Sequence, residues 1–245
     1  HAASLNDSAA DADLVIPRLG AAGFFRIGVP AAQGGSAGTT ADAIEAIAAV
    51  AERSLTAAFV FWGQRTFIEY LLHSPNAALR ERHLPALLAG ELAGATGLSN
   101  AMKFLSGIES LSIGATPVGD GWRLAGDLPW VTNLRRTGFA VAAAVQPVDG
   151  RPPAIVALFH DTPGLTRTDD LELLGLRGSN TAAIRIHDVA SGPADLIHAD
   201  ARGFIPAVRP AFLGLQCGMA IGLARASLAA ARASGSAARA GLQAR

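Results

Sequence analysis

The sequence predicts an α+β fold in three consecutive segments: an N-terminal α-helical domain, a central antiparallel β-barrel or sandwich domain, and the start of a C-terminal α-helical bundle. Three observations carry this prediction. Apolar residues follow a helical period over residues 1–91, short strand-like runs fill residues 92–202, and helical spacing returns over residues 203–245. The strand-like runs follow one another without intervening helices, which argues against a doubly wound parallel sheet.

The first segment contains several runs with the spacing of amphipathic helices. Thr39 and Thr40 are candidate N-caps, because a hydroxyl can accept a hydrogen bond from the free N–H groups of the first turn. An aromatic stripe in the third run is typical of a helix core rather than of a binding site. The predicted helices cover residues 9–24, 41–53 and 55–73, with a shorter one from Ala77.

The central segment is organised around residues 119–133, which carry Asp120-Gly121 between apolar-alternating flanks and therefore predict a tight hairpin turn. The strand after this turn presents the indole of Trp130 beside the hydroxyl of Thr132. A planar heteroaromatic ligand could stack on the ring and accept a hydrogen bond from the hydroxyl. A half-buried strand favours the same residues, so these residues alone favour a structural interpretation. The predicted strands are 93–98, 111–118, 122–128, 139–146, 154–159 and 182–186.

Composition excludes several classes of function. The net charge is zero and only 16% of residues are charged, so no basic field would attract nucleic acid or anionic lipid. The single cysteine, Cys217, excludes an internal disulfide framework, and its apolar neighbours predict a buried, inert thiol. The longest uncharged apolar run, residues 210–224, is too short to cross a bilayer, and no signal peptide is visible. We therefore expect a soluble, cytoplasmic protein without a membrane partner.

The sequence contains no clear motif for a metal site, an acid–base pair or a serine nucleophile. The six histidines are separated in the sequence, so we predict no metal site. Glu45 and Glu52 lie on what we interpret as a solvated helix face rather than an acid–base pair. Residues 97–101 differ by one residue from the nucleophile elbow of serine hydrolases, but that motif needs a parallel α/β sheet, which the strand pattern does not predict.

Four short motifs occur in a fixed order over nearly the whole chain, and together they resemble the acyl-CoA dehydrogenase family of flavoproteins. The motifs are Leu19-Gly20-x-x-Gly23 with Gly28-Val29-Pro30 and Gly34-Gly35, Leu84-Pro85-x-Leu87-Leu88-x-Gly90-Glu91, the strand Gly126 to Asn133, and Leu174-Gly175-x-Arg177-x-Ser179-x-Thr181 followed by Ile186-x-Asp188-Val189.

The resemblance implies that FAD is the cofactor. In the family, the tryptophan matched by Trp130 packs on the isoalloxazine ring, and the threonine matched by Thr132 bonds the flavin N5 atom. Ser99 keeps a hydroxyl for the pyrimidine edge, and Ser106 matches a loop serine near the acyl thioester. The residues that the resemblance assigns to cofactor binding are Gly97, Leu98, Ser99, Ser106, Trp130, Val131 and Thr132, and it assigns Ser106 also to substrate binding.

Two departures from the family pattern affect the functional prediction. Residues 102–105, Met-Lys-Phe-Leu, are bulkier than the small loop residues they replace, which puts ordinary acyl-CoA binding in doubt. In the family the catalytic base is a glutamate in the C-terminal bundle, and no residue of this sequence matches it. The catalytic residue is therefore unknown, and either the rest of the bundle lies outside this sequence or the protein is a shortened homologue.

Three hypotheses for function follow. The first is an FAD-dependent dehydrogenase that removes the α and β hydrogens of an acyl thioester and passes electrons to an unknown acceptor. The second is a flavin-dependent monooxygenase of the same fold, and the third is a non-catalytic or partner-dependent homologue that lacks the base. Gly214, Gly218 and Gly222 leave one helix face bare, and from this face we predict a homo-oligomer, a dimer or a tetramer.

Overall fold

The structure, a computed structural model, describes residues 2–233. In its N-terminal segment, helix α4 lies against most of the other helices. Phe61, Phe67 and Tyr70 of α4 are 0–1% exposed, which confirms that the aromatic stripe is core. The helices of this segment are α1 (Ala2–Asp7), α2 (Val15–Ala21), α3 (Thr40–Ala51), α4 (Leu55–His73) and α5 (Ala77–Ala89).

Local signals set the ends of these helices. Thr39 is the N-cap of α3, and the Asp42 carboxylate accepts hydrogen bonds from its backbone N–H at 2.7 Å and its hydroxyl at 2.9 Å. Helix α2 is shorter than the run predicted over residues 9–24. It begins just before Pro17, which suits a first turn because its missing N–H has no partner there. Gly23, at a φ of 79°, follows its end.

Seven strands form an open path in the order β6-β7-β3-β2-β4-β5-β8, and an eighth, β1, pairs with β4 outside this path. The expected fold class is confirmed, but the sheet is mixed rather than purely antiparallel, because β1 and β2 both run parallel to β4. The strands are β1 (Ala93–Thr96), β2 (Ile113–Val118), β3 (Gly121–Val131), β4 (Phe139–Pro147), β5 (Ala154–Phe159), β6 (Leu165–Asp170), β7 (Ala182–Ser191) and β8 (Leu196–His198).

One edge of β4 is shared by two strands, and this arrangement opens the sheet. The first half of β4 pairs with β1, through Thr96 opposite Ala142. The end of β4 pairs with β2, through Gly114 opposite Gln146. Between these pairings the chain leaves the sheet and forms a short helix, α6 (Ser99–Leu105). The sequence predicted a loop in this position.

Two further strands were not predicted. Strand β6 reads Leu-Thr-Arg-Thr-Asp-Asp and has almost no apolar residues, so it has no strand period that could be recognised. Strand β8 has only three residues. Both are placed by their partners, β7 and β5, rather than by their own composition.

The hairpin between β2 and β3 is present, but its turn is shifted by one residue from the prediction. Val118 pairs with Gly121, so the two turn residues are Gly119 and Asp120. Gly119 has a φ of 60° and supplies the left-handed conformation. Gly121 belongs to β3, where a β-carbon would lie 2.4 Å from the Ser191 carbonyl oxygen. Its lack of a side chain therefore serves close packing, not the turn.

Helix α7 (Ala201–Ala233) confirms the helical restart, and its bare glycine face is used inside the chain. A β-carbon at Gly218 would lie 2.6 Å from the Ile44 carbonyl oxygen, and one at Gly222 would lie 2.1 Å from that of Ala48. The backbone of α7 thus packs directly against the backbone of α3. The observation on which the oligomer prediction rested is explained by this packing, and the oligomer itself stays a prediction.

By length and composition α7 is also the one described helix that is apolar enough to span a membrane, with a mean hydropathy of 1.3 over its best window. The uncharged run of residues 210–224 did not predict this, because Arg209 and Arg225 end it on either side. Part of its apolar surface packs on α3 and α4. The absence of a membrane partner and the domain limits at residues 91 and 202 stay predictions.

The expectation of a buried thiol is wrong. Cys217 is exposed. The buried face of α7 contains Phe212, Leu215 and Gly218, and Cys217 projects from another side of the helix. Leu215 and Met219, two residues away, project from other sides of the helix, and Ile221, one turn further on, is itself exposed, so these apolar neighbours did not report the environment of Cys217.

Candidate functional site

A groove of about 270 Å³ lies where β1 leaves the sheet, beside α6 and the end of β3. It is lined on one side by Gly97, Ser99 and Asn100, and on the other by Leu128 and Trp130. The groove follows from the split edge of β4, because the chain between β1 and β2 leaves the sheet there and does not cover it.

Trp130 is the most unusual residue of this groove, since 68% of it is exposed. A β-bulge accounts for this exposure. Leu128 lies opposite Ile184 and Val131 opposite Ala182, so β3 has one more residue than β7 between these two pairs. Pro129 falls in the bulge, where its missing N–H leaves no ladder bond unmade. The bulge turns the indole out to the groove while Val131 remains 1% exposed.

Thr132 lies directly after β3 and is 9% exposed. Its hydroxyl is hydrogen-bonded to that of Thr181 at 3.0 Å, and the Thr181 hydroxyl is bonded to that of Ser179 at 2.7 Å. Backbone bonds hold the two segments together, because the Asn133 N–H donates to the Ser179 carbonyl at 3.0 Å. The sequence paired neither Thr181 nor Ser179 with Thr132.

Of the predicted residues Gly97, Leu98 and Val131, Gly97 lines the groove and the other two do not. The Gly97 N–H donates to the Ala142 carbonyl at 2.8 Å, and a β-carbon there would lie 2.8 Å from a methyl carbon of Leu128. The side chain of Leu98 is fully buried in the helical core. Val131 is buried in the β core in the same way. The Leu98 backbone is also already bonded, since its N–H donates to the Thr96 hydroxyl at 3.4 Å and its carbonyl accepts from the Met102 N–H at 3.0 Å.

Helix α6 separates the two predicted serines. Ser99 is its first residue and lines the groove. Ser106 follows the last residue of the helix, and its hydroxyl donates to the Met102 carbonyl at 3.2 Å. Seven helical residues span about 10 Å, so Ser99 and Ser106 lie at opposite ends of α6 and not side by side.

The loop after α6 is tied back to it across the groove. Asn100 donates to the Ser110 carbonyl at 2.9 Å and accepts from the Ser112 N–H at 3.0 Å. Lys103 and Glu109 form an exposed ion pair of 3.2 Å, and both line the groove. Hydrogen bonds from Asn100 and Lys103 lower the pKa of the Glu109 carboxyl. One wall of the groove thus carries an ion pair, which the sequence did not predict.

The junction beneath the groove was not predicted. Asn133, at a φ of 68°, is fully buried and donates to the Gln64 side-chain oxygen at 3.0 Å and to the Gly94 carbonyl at 2.8 Å. Gln64 also donates to the Leu87 and Leu92 carbonyls, each at 2.9 Å. The two amides therefore fix β1 and the end of β3 to helices α4 and α5. An asparagine after a strand end was the only sequence signal for this junction.

The described residues give little support to a metal site or to acid–base chemistry at Glu45 and Glu52. Within residues 2–233, no group of three or more His, Cys, Asp or Glu residues is placed to hold a metal ion, and the prediction of no metal stays a prediction. Glu45 and Glu52 are both exposed and form ion pairs with Arg225 of α7. They hold α3 to α7.

Comparisons with known proteins agree with this architecture. The family profile for the acyl-CoA dehydrogenase N-terminal domain matches residues 1–91. The probable acyl-CoA dehydrogenase YngJ of Bacillus subtilis is 33% identical over 198 residues, which cover 76% of this chain and 50% of that protein. The chain belongs to the acyl-CoA dehydrogenase family. It spans half the length of this relative.

Solved structures of the family share the fold. The glutaryl-coenzyme A dehydrogenase in its glutaryl-CoA complex has a TM-score of 0.76 at 22% identity, over 88% of this chain and 56% of that one. The butyryl-CoA dehydrogenase of Megasphaera elsdenii has a TM-score of 0.74 at 24% identity, over 87% of this chain and 58% of that one. At these identities the likeness shows the fold of this family member and does not select its substrate.

Proposed function

We propose that this chain supplies the flavin-facing wall of an FAD-dependent oxidoreductase that removes the α and β hydrogens of an acyl thioester. The observation that carries the proposal is the exposed indole of Trp130, turned to the groove by a bulge, with the hydroxyl of Thr132 two residues further along the chain. A large exposed aromatic ring beside a polar group suits a planar ligand with hydrogen-bonding edges.

The residues present fit a flavin. Trp130 would pack on the ring system, and the Thr132 hydroxyl, which has capacity for a hydrogen bond besides the one to Thr181, would donate to a ring nitrogen. Gly97 and the exposed hydroxyl of Ser99, which both line the groove, would meet the polar edge. When bound, FAD would supply the redox chemistry of hydrogen removal, while these residues orient the ring and exclude water from one face.

The position of Ser106 supports a role in substrate binding less well. Its hydroxyl is committed to the Met102 carbonyl, and it lies beyond the helix that begins at Ser99. The charged pair Lys103–Glu109 lies on the groove instead. A substrate other than an ordinary acyl-CoA is consistent with this wall, and this observation keeps the flavin-dependent monooxygenase as the second candidate.

The remaining parts of the function also stay proposals. No residue of this chain is assigned as the catalytic base, so a homologue that depends on a partner for its chemistry is the third candidate. An acyl-CoA or related small molecule, an unidentified electron acceptor, a homo-oligomeric state and a cytoplasmic location complete the proposal.

The deciding experiment is a titration of the purified protein with FAD, followed by absorption and flavin fluorescence. We expect binding by the wild type, and affinity weakened about three- to tenfold in Trp130→Ala, which corresponds to about 0.5–1.5 kcal/mol for the lost aromatic contact. Trp130→Phe is the matched control and should retain most of the affinity. A wild-type protein that leaves FAD spectrally unchanged would contradict the proposal.

The same preparation distinguishes the candidates. Under anaerobic conditions, bleaching of the flavin by one member of a panel of acyl-CoA thioesters would support the dehydrogenase. A bound flavin that no thioester bleaches, but that reacts with oxygen after chemical reduction, would favour the monooxygenase.

A further inference from the structure

Three hydroxyl groups form a continuous chain at the end of β3. It runs from Thr132 to Thr181 at 3.0 Å and from Thr181 to Ser179 at 2.7 Å. The three residues are 9%, 6% and 0% exposed, respectively. The chain joins the end of β3 to the turn before β7, and so links two motifs that are 49 residues apart in the sequence.

The number of hydroxyl protons limits the directions in which the hydrogen bonds of this chain can run. Each hydroxyl has one proton to donate and can accept two hydrogen bonds. Two of the three protons are used in the two bonds within the chain, so one proton is left to point outside it. If Thr132 donates to a ligand, Thr181 must donate to Thr132, and Ser179 must donate to Thr181. If both bonds ran the other way, Thr132 would donate to Thr181 and Thr181 to Ser179, and the Ser179 proton would point into a fully buried site where the described residues give it no other acceptor.

The backbone holds the inner hydroxyls in place. Leu176 and Asn180 lie on either side of the turn at residues 177–179, and both adopt the left-handed conformation, at φ of 62° and 50°. Non-glycine residues keep such angles only where their surroundings enforce them. The Asn133 and Leu134 N–H groups donate to the carbonyls of Ser179 and Asn180, each at 3.0 Å, and fix the turn beside β3.

We propose that Thr181 and Ser179 are positioning residues that set the donor direction of the Thr132 hydroxyl toward the bound cofactor. This inference rests on the proposed function, because it needs a flavin against Thr132. The flavin N5 atom accepts a hydrogen bond in the oxidised state and carries a proton in the reduced state. Because the buried inner end of the chain has no acceptor for a proton among the described residues, the chain favours the direction in which Thr132 donates outward, as the oxidised state requires, and cooperative polarisation along the chain strengthens this outer hydrogen bond.

The test is a set of variants of the whole protein, with FAD affinity and flavin midpoint potential as readouts. Thr181→Val keeps the shape of the side chain and removes its hydroxyl, and we expect FAD affinity to weaken about three- to tenfold, with a shifted midpoint potential. Thr181→Ser restores the hydroxyl and should restore both quantities. Thr116→Val, at an exposed position of β2, is the matched control and should leave both unchanged.

A second variant tests the chain rather than a single bond. Ser179→Ala removes the inner end but leaves the bond between Thr132 and Thr181, so its effect should have the same sign as that of Thr181→Val and be smaller. Thermal unfolding without FAD would show whether each variant folds, and only variants that unfold cooperatively enter the comparison.

The outcomes separate this inference from the proposed function. If the wild type does not bind FAD, the proposed function fails. If the wild type binds FAD, but Thr181→Val matches Thr116→Val in affinity and potential, the positioning role is overturned while the flavin site stands. If Thr181→Ser fails to recover what Thr181→Val loses, packing rather than the hydroxyl explains the effect, and the inference is overturned as well.

Discussion

At the scale of single residues, the environment of a side chain depends on local irregularities that composition does not report. Trp130 is in a strand, as predicted, but a bulge exposes 68% of it. Pro129 was the available signal, because proline within a strand is confined to edges, first positions and bulges. The sequence thus identified Trp130 as the candidate ring residue, but it did not predict that the side chain points to solvent.

Asp42 gives a residue-scale prediction about pH. Hydrogen bonds from the backbone and side chain of Thr39 lower the pKa of its carboxyl below 3.8. Because the folded pKa is the lower one, the stabilisation is present at neutral pH and is lost as the pH falls through the folded value. We expect Asp42→Asn to reduce the loss of stability on acidification below about pH 4, measured by urea unfolding at several pH values.

The control for this pH series is Asp161→Asn, since Asp161 is exposed on the turn after β5. It changes the net charge by the same amount without touching the α3 cap. If Asp161→Asn and Asp42→Asn change the loss of stability at acidic pH equally, net charge rather than the cap is responsible.

At the scale of elements, the contact between α3 and α7 shows how small residues are used. Gly214, Gly218 and Gly222 let the two helices approach until backbone and side-chain atoms of α3 fill the space of the missing β-carbons. In an isolated helix each glycine costs about 1 kcal/mol relative to alanine. Close packing against α3 is the physical reason that the pattern can persist here.

This packing predicts an order of destabilisation. In Gly222→Ala the new methyl would lie 2.1 Å from the Ala48 carbonyl oxygen and 2.6 Å from the Ala51 β-carbon, neither of which can rotate away. In Gly214→Ala it would meet only the end of the Ile44 side chain, at 2.8 Å. We expect Gly222→Ala to lower the free energy of unfolding by about 1–3 kcal/mol, and Gly214→Ala to have a much smaller effect.

Urea unfolding measures both variants, and Gly214→Ala serves as the matched control on the same helix. Equal stability of the two variants would mean that α7 does not pack on α3 at the distance described.

At the scale of the whole molecule, the helical and β segments are joined by buried amides rather than by apolar packing alone. The side chains of Gln64 and Asn133 make five hydrogen-bond contacts at the junction, with distances from 2.6 to 3.0 Å. In a buried site such a network is strong when complete and costly when broken. It also sets where Trp130 and Thr132 stand relative to β1.

Asn133 allows the backbone and side-chain parts of this junction to be separated. Asn133→Gly removes the hydrogen bonds but tolerates a φ of 68°, and we expect it to lower the free energy of unfolding by about 1–3 kcal/mol. Asn133→Ala should lower the free energy of unfolding by about 1–2 kcal/mol more than Asn133→Gly does, because the alanine β-carbon disfavours this backbone conformation.

Urea unfolding of the two variants gives the difference directly, with Gln216→Ala, an exposed change on α7, as the control. Equal stability of Asn133→Gly and Asn133→Ala would contradict the conformational part of the prediction. Two wild-type-like variants would contradict the role of the junction.

The sequence by itself determined the three-segment architecture, helices α3 and α4, the family, and Trp130 and Thr132 as the candidate site pair. Periodicity and short motifs are local along the chain, so they can be read without knowing what packs against them. Only the tertiary structure decided the split edge of β4, the strand β6, the shifted turn at Gly119 and the exposure of Cys217. It also brought Ser179 and Thr181 behind Thr132, because hydrogen bonds between residues far apart in the sequence leave no period that composition or spacing records.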